Sequence, residues 1–269
     1  MEGAAFWFPE IVPPSLLLPR NPAELLVVDV ADCTPGDGAC GVPRTGGEPM
    51  RARLRTALLA VALLLTACGT AQLPPEGGVD YQLGAAYDAD LAIVVRDASA
   101  APLPGAYSLC YVNGFQTQPG ILAVFGPVIA GCAEAGFDAV EIDNLDAFTR
   151  ADGIAREDAL ALAADYADIA HDHGLEIAQK NAAELSRTLH DELGYDLAVV
   201  EECGAYDECA AFTDVYGERV IQVEYPDSLA EAGLTFAEVC AREDRAPHTI
   251  LRDRELVGPD DPMYVYEAC

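Results

Sequence analysis

The chain has 269 residues, of which 51% are hydrophobic, and its formal net charge is −30. After Cys68 it contains 38 acidic and 10 basic residues, a net charge near −28. This charge excludes nucleic acid and anionic membrane surfaces as partners and permits a polycationic partner. A solubility or genome-composition trait explains such an acidic, arginine-rich surface equally well. The length after Cys68 suits one domain with a full core.

Residues 51–68 have the features of a bacterial lipoprotein export signal. The basic residues 51–55 precede the apolar run 56–67, and residues 65–68 (LTAC) resemble the lipobox that lipoprotein signal peptidase cleaves. The apolar run is too short to span a bilayer as a permanent helix. We therefore predict that the mature protein begins at a lipidated Cys68 and is anchored to the cell membrane, facing the extracellular or periplasmic side. A buried core helix is the alternative.

Residues 1–49 form a Pro-rich segment without clear periodicity, directly before Met50. Because export signals act at the start of a chain, we predict that translation starts at or near Met50. Residues 1–49 are then an over-extended gene model or a disordered extension, in which Cys33 and Cys40 have no function. We predict a signal peptide at residues 50–67, a tether at residues 68–80 and one domain over residues 81–269.

Six cysteines follow Cys68, an even number that predicts disulfides in an exported protein. Cys203 and Cys209 enclose a short local loop. Cys269 at the terminus needs a covalent attachment, for which Cys240 is the best partner. Cys110 and Cys132 complete the set. A zinc site is the alternative, but no CxxC pair or nearby histidine cluster accompanies these cysteines, and we expect no metal and no cofactor.

Beyond the tether, strand-like and helix-like segments alternate in chain order. Apolar runs rich in β-branched residues predict seven strands, at 91–95, 107–112, 139–142, 175–178, 197–200, 220–223 and 249–251. Helix-like stretches lie at 121–135, 156–171, 182–193, 208–215 and 235–242. The alternation predicts a parallel sheet covered by helices, either a closed βα barrel or an open doubly wound sheet. No glycine-rich phosphate loop follows the first strand, which disfavours a dinucleotide-binding fold.

The predicted strands share polar carboxyl ends. These ends are Arg96-Asp97, Asn113, Asp143-Asn144, Lys180-Asn181, Glu201-Glu202, Glu224-Tyr225 and Arg252-Asp253. In a βα barrel they converge on one rim, which is where the active site lies. Strands often end in polar residues for structural reasons alone, but that explains one or two ends more easily than seven.

Two strand ends are rich in carboxylates, one around Glu141 and Asp143 and the other at Glu201 and Glu202. Strand alternation points Glu141 and Asp143 to the same side, which would be the inside of a barrel. Two carboxylates across a pocket can share the roles of glycoside cleavage. The alternative is that these acids are structural and pair with Arg96, Lys180 or Arg252 around the rim.

Lys180 is the only lysine in the chain, and Asn181 follows it at a predicted strand end. We interpret it as a hydrogen-bond donor, or as a local charge that keeps a nearby carboxylate ionised. A Schiff-base lysine is the alternative and requires a desolvated pocket.

Several long motifs, in one order from about Tyr81 to the C-terminus, resemble the glycoside hydrolase family 114 domain. They are residues 110–118 (CYVNGFQTQ), 136–146 (GFDAVEIDNLD), 177–181 (IAQKN), 201–209 (EECGAYDEC) and 264–269 (YVYEAC). The resemblance implies a TIM barrel with endo-α-1,4-polygalactosaminidase-type activity, acting on a galactosamine-rich and therefore cationic polysaccharide by a retaining mechanism. It implies Asp143 as nucleophile and Glu201 as acid/base. The implied sugar-binding residues are Asn113, Asp146, Lys180, Asn181 and Tyr225.

One departure from the family concerns the region after the motif at residues 116–118. Family members carry a strand and a long loop of some tens of residues between this motif and the next helix. Here residues 118–120 run directly into Ile121. A barrel has eight strands and only seven are predicted here, so we expect a barrel that lacks the third-strand region; a deletion variant that folds poorly is the alternative.

Two functions from other classes also fit the sequence. The first is a carbohydrate-binding surface lipoprotein without turnover, on a degenerate barrel. The second is an exported α/β protein with a structural role.

Overall fold

The computed structural model describes residues 74–115, 121–151 and 153–269, without the side chains of residues 121–123. The predicted export signal and Cys68 lie outside these residues. Among the residues described, no helix is both long and apolar enough to cross a membrane.

A single sheet of nine strands forms the centre of the domain. The strands are β1 (Val79–Gln82), β2 (Ile93–Asp97), β3 (Tyr107–Val112), β4 (Ala139–Ile142), β5 (Glu176–Lys180), β6 (Leu197–Glu201), β7 (Val220–Glu224), β8 (His248–Arg252) and β9 (Tyr266–Ala268). Strands β1 to β8 pair in parallel in chain order, and β9 pairs antiparallel with β8. A doubly wound sheet would reverse its strand order at a switch point, whereas this order is that of a TIM-type barrel. The predicted barrel fold is confirmed.

Helices cover the outer face of the sheet between β3 and β8. They are α1 (Ile121–Ala135), α2 (Arg156–Asp172), α3 (Cys203–Tyr206), α4 (Ala210–Tyr216), α5 (Pro226–Ala232) and α6 (Phe236–Cys240). The predicted helix at 182–193 is instead a 3₁₀ turn, Ala183–Leu185, followed by a π turn, Thr188–Glu192. The predicted helix at 208–215 corresponds to α4, and the short helix α3 before it was not predicted. Helix α5 was not predicted, although Pro226 at its first position favours a helix start.

The prediction of seven strands was one short, because it missed β1 at the start of the domain. β1 has four residues and begins at Val79, two residues before the predicted domain boundary. The described residues therefore contain eight parallel strands. The barrel is nevertheless incomplete in its outer layer: residues 83–92 and 98–106, all of them described, connect β1 to β2 and β2 to β3 without a helix.

Apolar side chains fill both faces of the parallel sheet. One buried cluster lies inside the barrel and includes Ile93, Leu109, Val199 and Ile221. A larger cluster lies between the sheet and the helices, with Ile142 from the sheet. Because both faces are covered, the strands are nearly continuous in apolar residues, which is what made seven of them predictable.

Three disulfides join elements of the outer layer to the sheet or to each other. Cys110–Cys132 links β3 to α1, Cys203–Cys209 links α3 to the residue before α4, and Cys240–Cys269 links α6 to the C-terminus. All three predicted pairs are confirmed.

The seam between the first and the eighth strand is closed by the side chain of Arg252. Its guanidinium is fully buried and donates to the Asp80 carboxylate, to the Tyr81 carbonyl at 2.7 Å and to the Val257 carbonyl at 2.9 Å. It also donates to the Val265 carbonyl, just before β9, at 3.0 Å. One cation thus joins β1, β8 and the C-terminal segment.

We expect Arg252→Met to lower the free energy of unfolding by about 3–5 kcal/mol, because it leaves the buried Asp80 carboxylate without its cation. Urea unfolding followed by circular dichroism measures this loss. The control is Arg150→Met, whose side chain is 56% exposed and pairs with Asp146; it should cost about 0.5 kcal/mol or less. Equal losses for the two variants would contradict the seam assignment.

Candidate active site

The carboxyl ends of β4, β5 and β6 bring the predicted functional residues to one rim of the barrel. Asp143 follows β4 directly, Lys180 ends β5 and Glu201 ends β6. Each of these residues is followed by one in the left-handed region, with φ of 63° at Asn144, 48° at Asn181 and 64° at Glu202. Asparagine tolerates this conformation, but it is costly for glutamate, and such strain is concentrated at functional sites. The chain therefore turns sharply away just after each polar side chain.

Glu201 is held by three side chains that were predicted to bind sugar. The Lys180 ammonium donates to Oε2, and the Tyr225 hydroxyl donates to Oε1. The Asn181 side chain donates to Oε2 at 3.4 Å and accepts the Glu201 amide at 2.8 Å. Burial raises the pKa of Glu201, but the Lys180 charge and these hydrogen bonds lower it by more, so the net pKa is below its usual range.

Lys180 lies buried inside the barrel, with 4% of its side chain exposed. Burial alone would lower its pKa, but the negative charges of Glu201, Asp143 and Glu141 raise it by more. Lys180 therefore stays charged, as a cation surrounded by carboxylates from two neighbouring strands. It has the role of a local charge that keeps a carboxylate ionised, which was one of the interpretations of its sequence position.

Asp143 is oriented by donors from β3 and from its own turn. The Tyr111 hydroxyl donates to Oδ2 at 2.6 Å, and the Asn144 amide donates to Oδ1 at 2.7 Å. Burial and then the charge of Asp143 raise the pKa of Tyr111, which keeps its proton as a donor. Asn113 accepts a hydrogen bond from the Asn144 side chain at 2.8 Å, so it supports the same turn.

Asp146, a predicted sugar-binding residue, makes its described contacts in the turn after β4. It pairs with Arg150 at 2.8 Å in a short 3₁₀ turn, and Arg150 also donates to the Asn144 side chain at 3.0 Å. Its described contacts are thus with the turn rather than with Asp143 or Glu201.

Tyr81, Tyr111 and Arg254 were not predicted as site residues, and Glu141 was noted only as a carboxylate near a strand end. Tyr81 donates to Glu141 at 2.9 Å, and Glu141 is fully buried on the same side of β4 as Asp143. Tyr111 was detectable from its alternation with the inward-facing Leu109 in β3. Tyr81 was not, because β1 had not been predicted. Arg254 packs its guanidinium 4.2 Å from the Tyr225 ring and pairs with Glu202 at 2.7 Å.

The basic residues that were predicted as partners of the rim acids differ in their contacts. Arg252 serves the seam, and Arg96 donates to Gln82 at 3.0 Å. Among the described basic residues, Lys180 is the one that acts on Glu141, Asp143 and Glu201. One group of potential metal ligands, formed by Cys203, Cys209 and Glu224, occurs among the described residues, but its two sulfur atoms are bonded to each other.

We expect Lys180→Met to lower the free energy of unfolding by about 3–5 kcal/mol at neutral pH, because Glu201 and Asp143 lose their cation. The pKa of Glu201 is lowered in the folded state, so its stabilising contribution is present above the unfolded value of 4.5 and is lost as the pH falls through the folded value. The difference between wild type and variant should therefore shrink in acid. Urea unfolding at pH 7 and at pH 4 tests this; a difference independent of pH would contradict it.

Comparison with known proteins identifies the family of the chain. The model of glycoside hydrolase family GH114 matches residues 115–269, more than half of the chain. No curated protein sequence matches the chain.

Two solved structures match the chain. The crystal structure of Aspergillus fumigatus Ega3 in complex with galactosamine is 18% identical, with a TM-score of 0.59 over 74% of this chain and 98% of the other. The glycoside hydrolase domain of PelA from Pseudomonas aeruginosa is 15% identical, with a TM-score of 0.49 over 66% of this chain and 95% of the other.

Proposed function

The chain belongs to glycoside hydrolase family GH114, and we propose that it cleaves a galactosamine-rich polysaccharide with Asp143 and Glu201 as its catalytic pair. The observation that carries the proposal is the placement of these two carboxylates at the ends of β4 and β6, on either side of Lys180 in β5. As a glycoside hydrolase, the protein needs two carboxyl groups that flank the scissile bond.

The charge of the chain and its fold relative support the substrate class. The net charge of −30 attracts a polymer whose amines are free and protonated. Ega3, which shares the fold, was crystallised in complex with galactosamine. An anionic rim and a cationic sugar chain complement each other, and we therefore propose a cationic galactosamine polymer as the substrate.

In the proposed retaining mechanism, Asp143 attacks the anomeric carbon while Glu201 gives its proton to the leaving oxygen, and the glycosidic bond breaks. A water molecule then gives a proton to Glu201 and attacks the same carbon, which releases Asp143 and restores both carboxyl groups. Tyr111 and the Asn144 amide orient Asp143 for attack.

The environment of Glu201 favours the second half of this cycle. Lys180, Tyr225 and Asn181 stabilise its ionised form, which is the form that takes a proton from water. The first half uses the protonated form, whose population increases as the pH falls. Asn113, Asp146, Asn181, Lys180 and Tyr225 are proposed to contact the sugar when it binds, Asp146 from the edge of the rim.

We expect Asp143→Asn and Glu201→Gln each to lower the release of new reducing ends from a galactosamine polymer by about 10²–10⁴-fold, because each removes one reacting carboxyl group. Reducing-end assays with purified protein measure this loss. The matched control is Glu202→Gln, the adjacent acid that pairs with Arg254, which should lower the rate by less than about tenfold.

The same two variants distinguish the nucleophile from the acid/base residue. A galactosaminide with a dinitrophenolate leaving group needs no proton from the enzyme, so Glu201→Gln should still release dinitrophenolate in a first turnover, whereas Asp143→Asn should not. The reverse pattern would exchange the roles. If the protein binds the polymer without cleaving it, and neither substitution changes the binding, the proposed catalytic function is wrong and a carbohydrate-binding lipoprotein is favoured.

We also propose that the protein is exported and lipidated at Cys68, which would place the active site where an extracellular polysaccharide reaches it. The three disulfides support an oxidising compartment.

Cys68→Ala should abolish incorporation of a labelled fatty acid and release the protein from the membrane fraction, because the acceptor thiol is lost. The control is Cys33→Ala, which should leave both properties unchanged. Fatty-acid labelling of the Cys68→Ala variant would rule out this anchor.

A further inference from the structure

A third carboxyl group lies beneath the catalytic pair inside the barrel. Glu141 is in β4, two residues before Asp143 and on the same face, and its side chain is fully buried. Tyr81 in β1 donates to its Oε1 at 2.9 Å. Its Oε2 has no hydrogen-bond partner within the described part of the chain. The proposed mechanism does not use this group.

The inner carboxyl groups compete for one cation. Glu141, Asp143 and Glu201 all act on Lys180, and a buried carboxylate without a cation costs several kcal/mol. The three groups cannot all be ionised without such a cost. The group that keeps a proton should be the one with the fewest donors, because donors stabilise the ionised form.

The donors are distributed unequally. Glu201 accepts from Lys180, Tyr225 and Asn181. Asp143 accepts from one hydroxyl and one backbone amide. Glu141 accepts from the Tyr81 hydroxyl alone, and one of its oxygens is left over. The geometry thus selects Glu141 to carry the proton.

We propose that Glu141 is a positioning residue, which remains protonated beneath the catalytic pair and so leaves the Lys180 ammonium to Glu201. The proposal deepens the proposed function, and its effect on catalysis rests on that function. An ionised Glu141 would compete with Glu201 for the ammonium, because both carboxyl groups act on the Lys180 charge. The proton on Glu141 therefore determines which carboxylate Lys180 serves.

The electrostatic surroundings of Glu141 agree with this assignment. The net pKa of Glu141 is raised to about 8, with burial as the largest cause. Lys180 in β5 and the Tyr81 hydroxyl in β1 lower this pKa, while the charges of Asp143 and Glu201 raise it. Tyr111 in β3 also faces this carboxyl group and remains protonated. At neutral pH the balance favours the uncharged form.

Carboxyl-carbon NMR of the full-length chain, labelled with ¹³C in its glutamate side chains, tests the protonation state without any substrate. Glu141→Gln should remove a resonance that titrates near neutral or higher pH, while the titration midpoint of Glu201, assigned with Glu201→Gln, should move by less than about half a pH unit. If Glu141 is ionised at neutral pH, its own resonance will titrate in acid, and its removal will lower the midpoint of Glu201. Either observation would overturn the proposal.

Glu224 offers a matched control for this titration. It is also buried at a strand end, accepts from the Gly204 amide at 2.7 Å and from Gln222 at 2.8 Å, and has one oxygen without a described partner. Burial raises its pKa too, but it lies beside the Cys203–Cys209 disulfide instead of Lys180. Glu224→Gln should remove its own resonance and leave the Glu141 titration in place. Loss of the Glu141 signal in this variant would count against the assignment.

The positioning role is tested by rescue with the neutral isostere. Glu141→Ala should lower kcat on a galactosamine polymer by about tenfold or more with little change in KM, since Lys180 and Glu201 lose their alignment. Glu141→Gln should recover most of this loss, because it is uncharged and retains an acceptor for Tyr81. Equal losses in both variants would show that a charge is required and would refute the proposal. If the wild type does not cleave the polymer, the proposed function fails, and the NMR titration still decides the state of Glu141.

Discussion

The interior of this barrel is organised around a single ammonium group. Lys180 is the only lysine in the chain, and it is buried on the same side of the sheet as Glu141 and Glu201. Because buried carboxylates need a cation or a proton, the position of this one side chain decides which acid is ionised and which is neutral. Tyr81, Tyr111 and Tyr225 then supply the hydroxyl donors that complete the arrangement. In a chain with a net charge of −30, that single cation gives two similar acids different properties.

Two separate features of the fold position these groups. At the rim, left-handed residues directly after Asp143, Lys180 and Glu201 turn the chain away and leave the polar side chains facing inward. At the seam, the buried Arg252 guanidinium joins β1 to β8 and to the C-terminal segment. The Arg252 contacts at the seam matter because the connections from β1 to β2 and from β2 to β3 contain no covering helix. Tyr81 reaches Glu141 only if β1 is held in place, so seam and site depend on each other.

Much of the fold and part of the site could be predicted from local pattern. Seven strands are apolar on both faces, which gives a strong local signal. The polar residues after them made Asp143, Lys180 and Glu201 candidates, and the family resemblance then implied Asp143 and Glu201 as the catalytic pair. The strand β1 was missed because its four residues, with Asp80 and Gln82 among them, lack a continuous apolar run. Those polar residues are buried because Arg252, 172 residues later in the chain, pairs with Asp80. No local pattern carries that information.

The sequence by itself determined the strand and helix alternation, the three disulfide pairs and the polar strand ends, since these depend on residue type and short-range spacing. Only the tertiary structure decided that Glu201 receives the Lys180 ammonium, that Asp143 receives the Tyr111 hydroxyl, and that Glu141 has one donor and no more among the described residues. The physical reason is that the charge state of a buried acid depends on donors and charges from strands far apart in the chain, whose distances exist only after the barrel has formed.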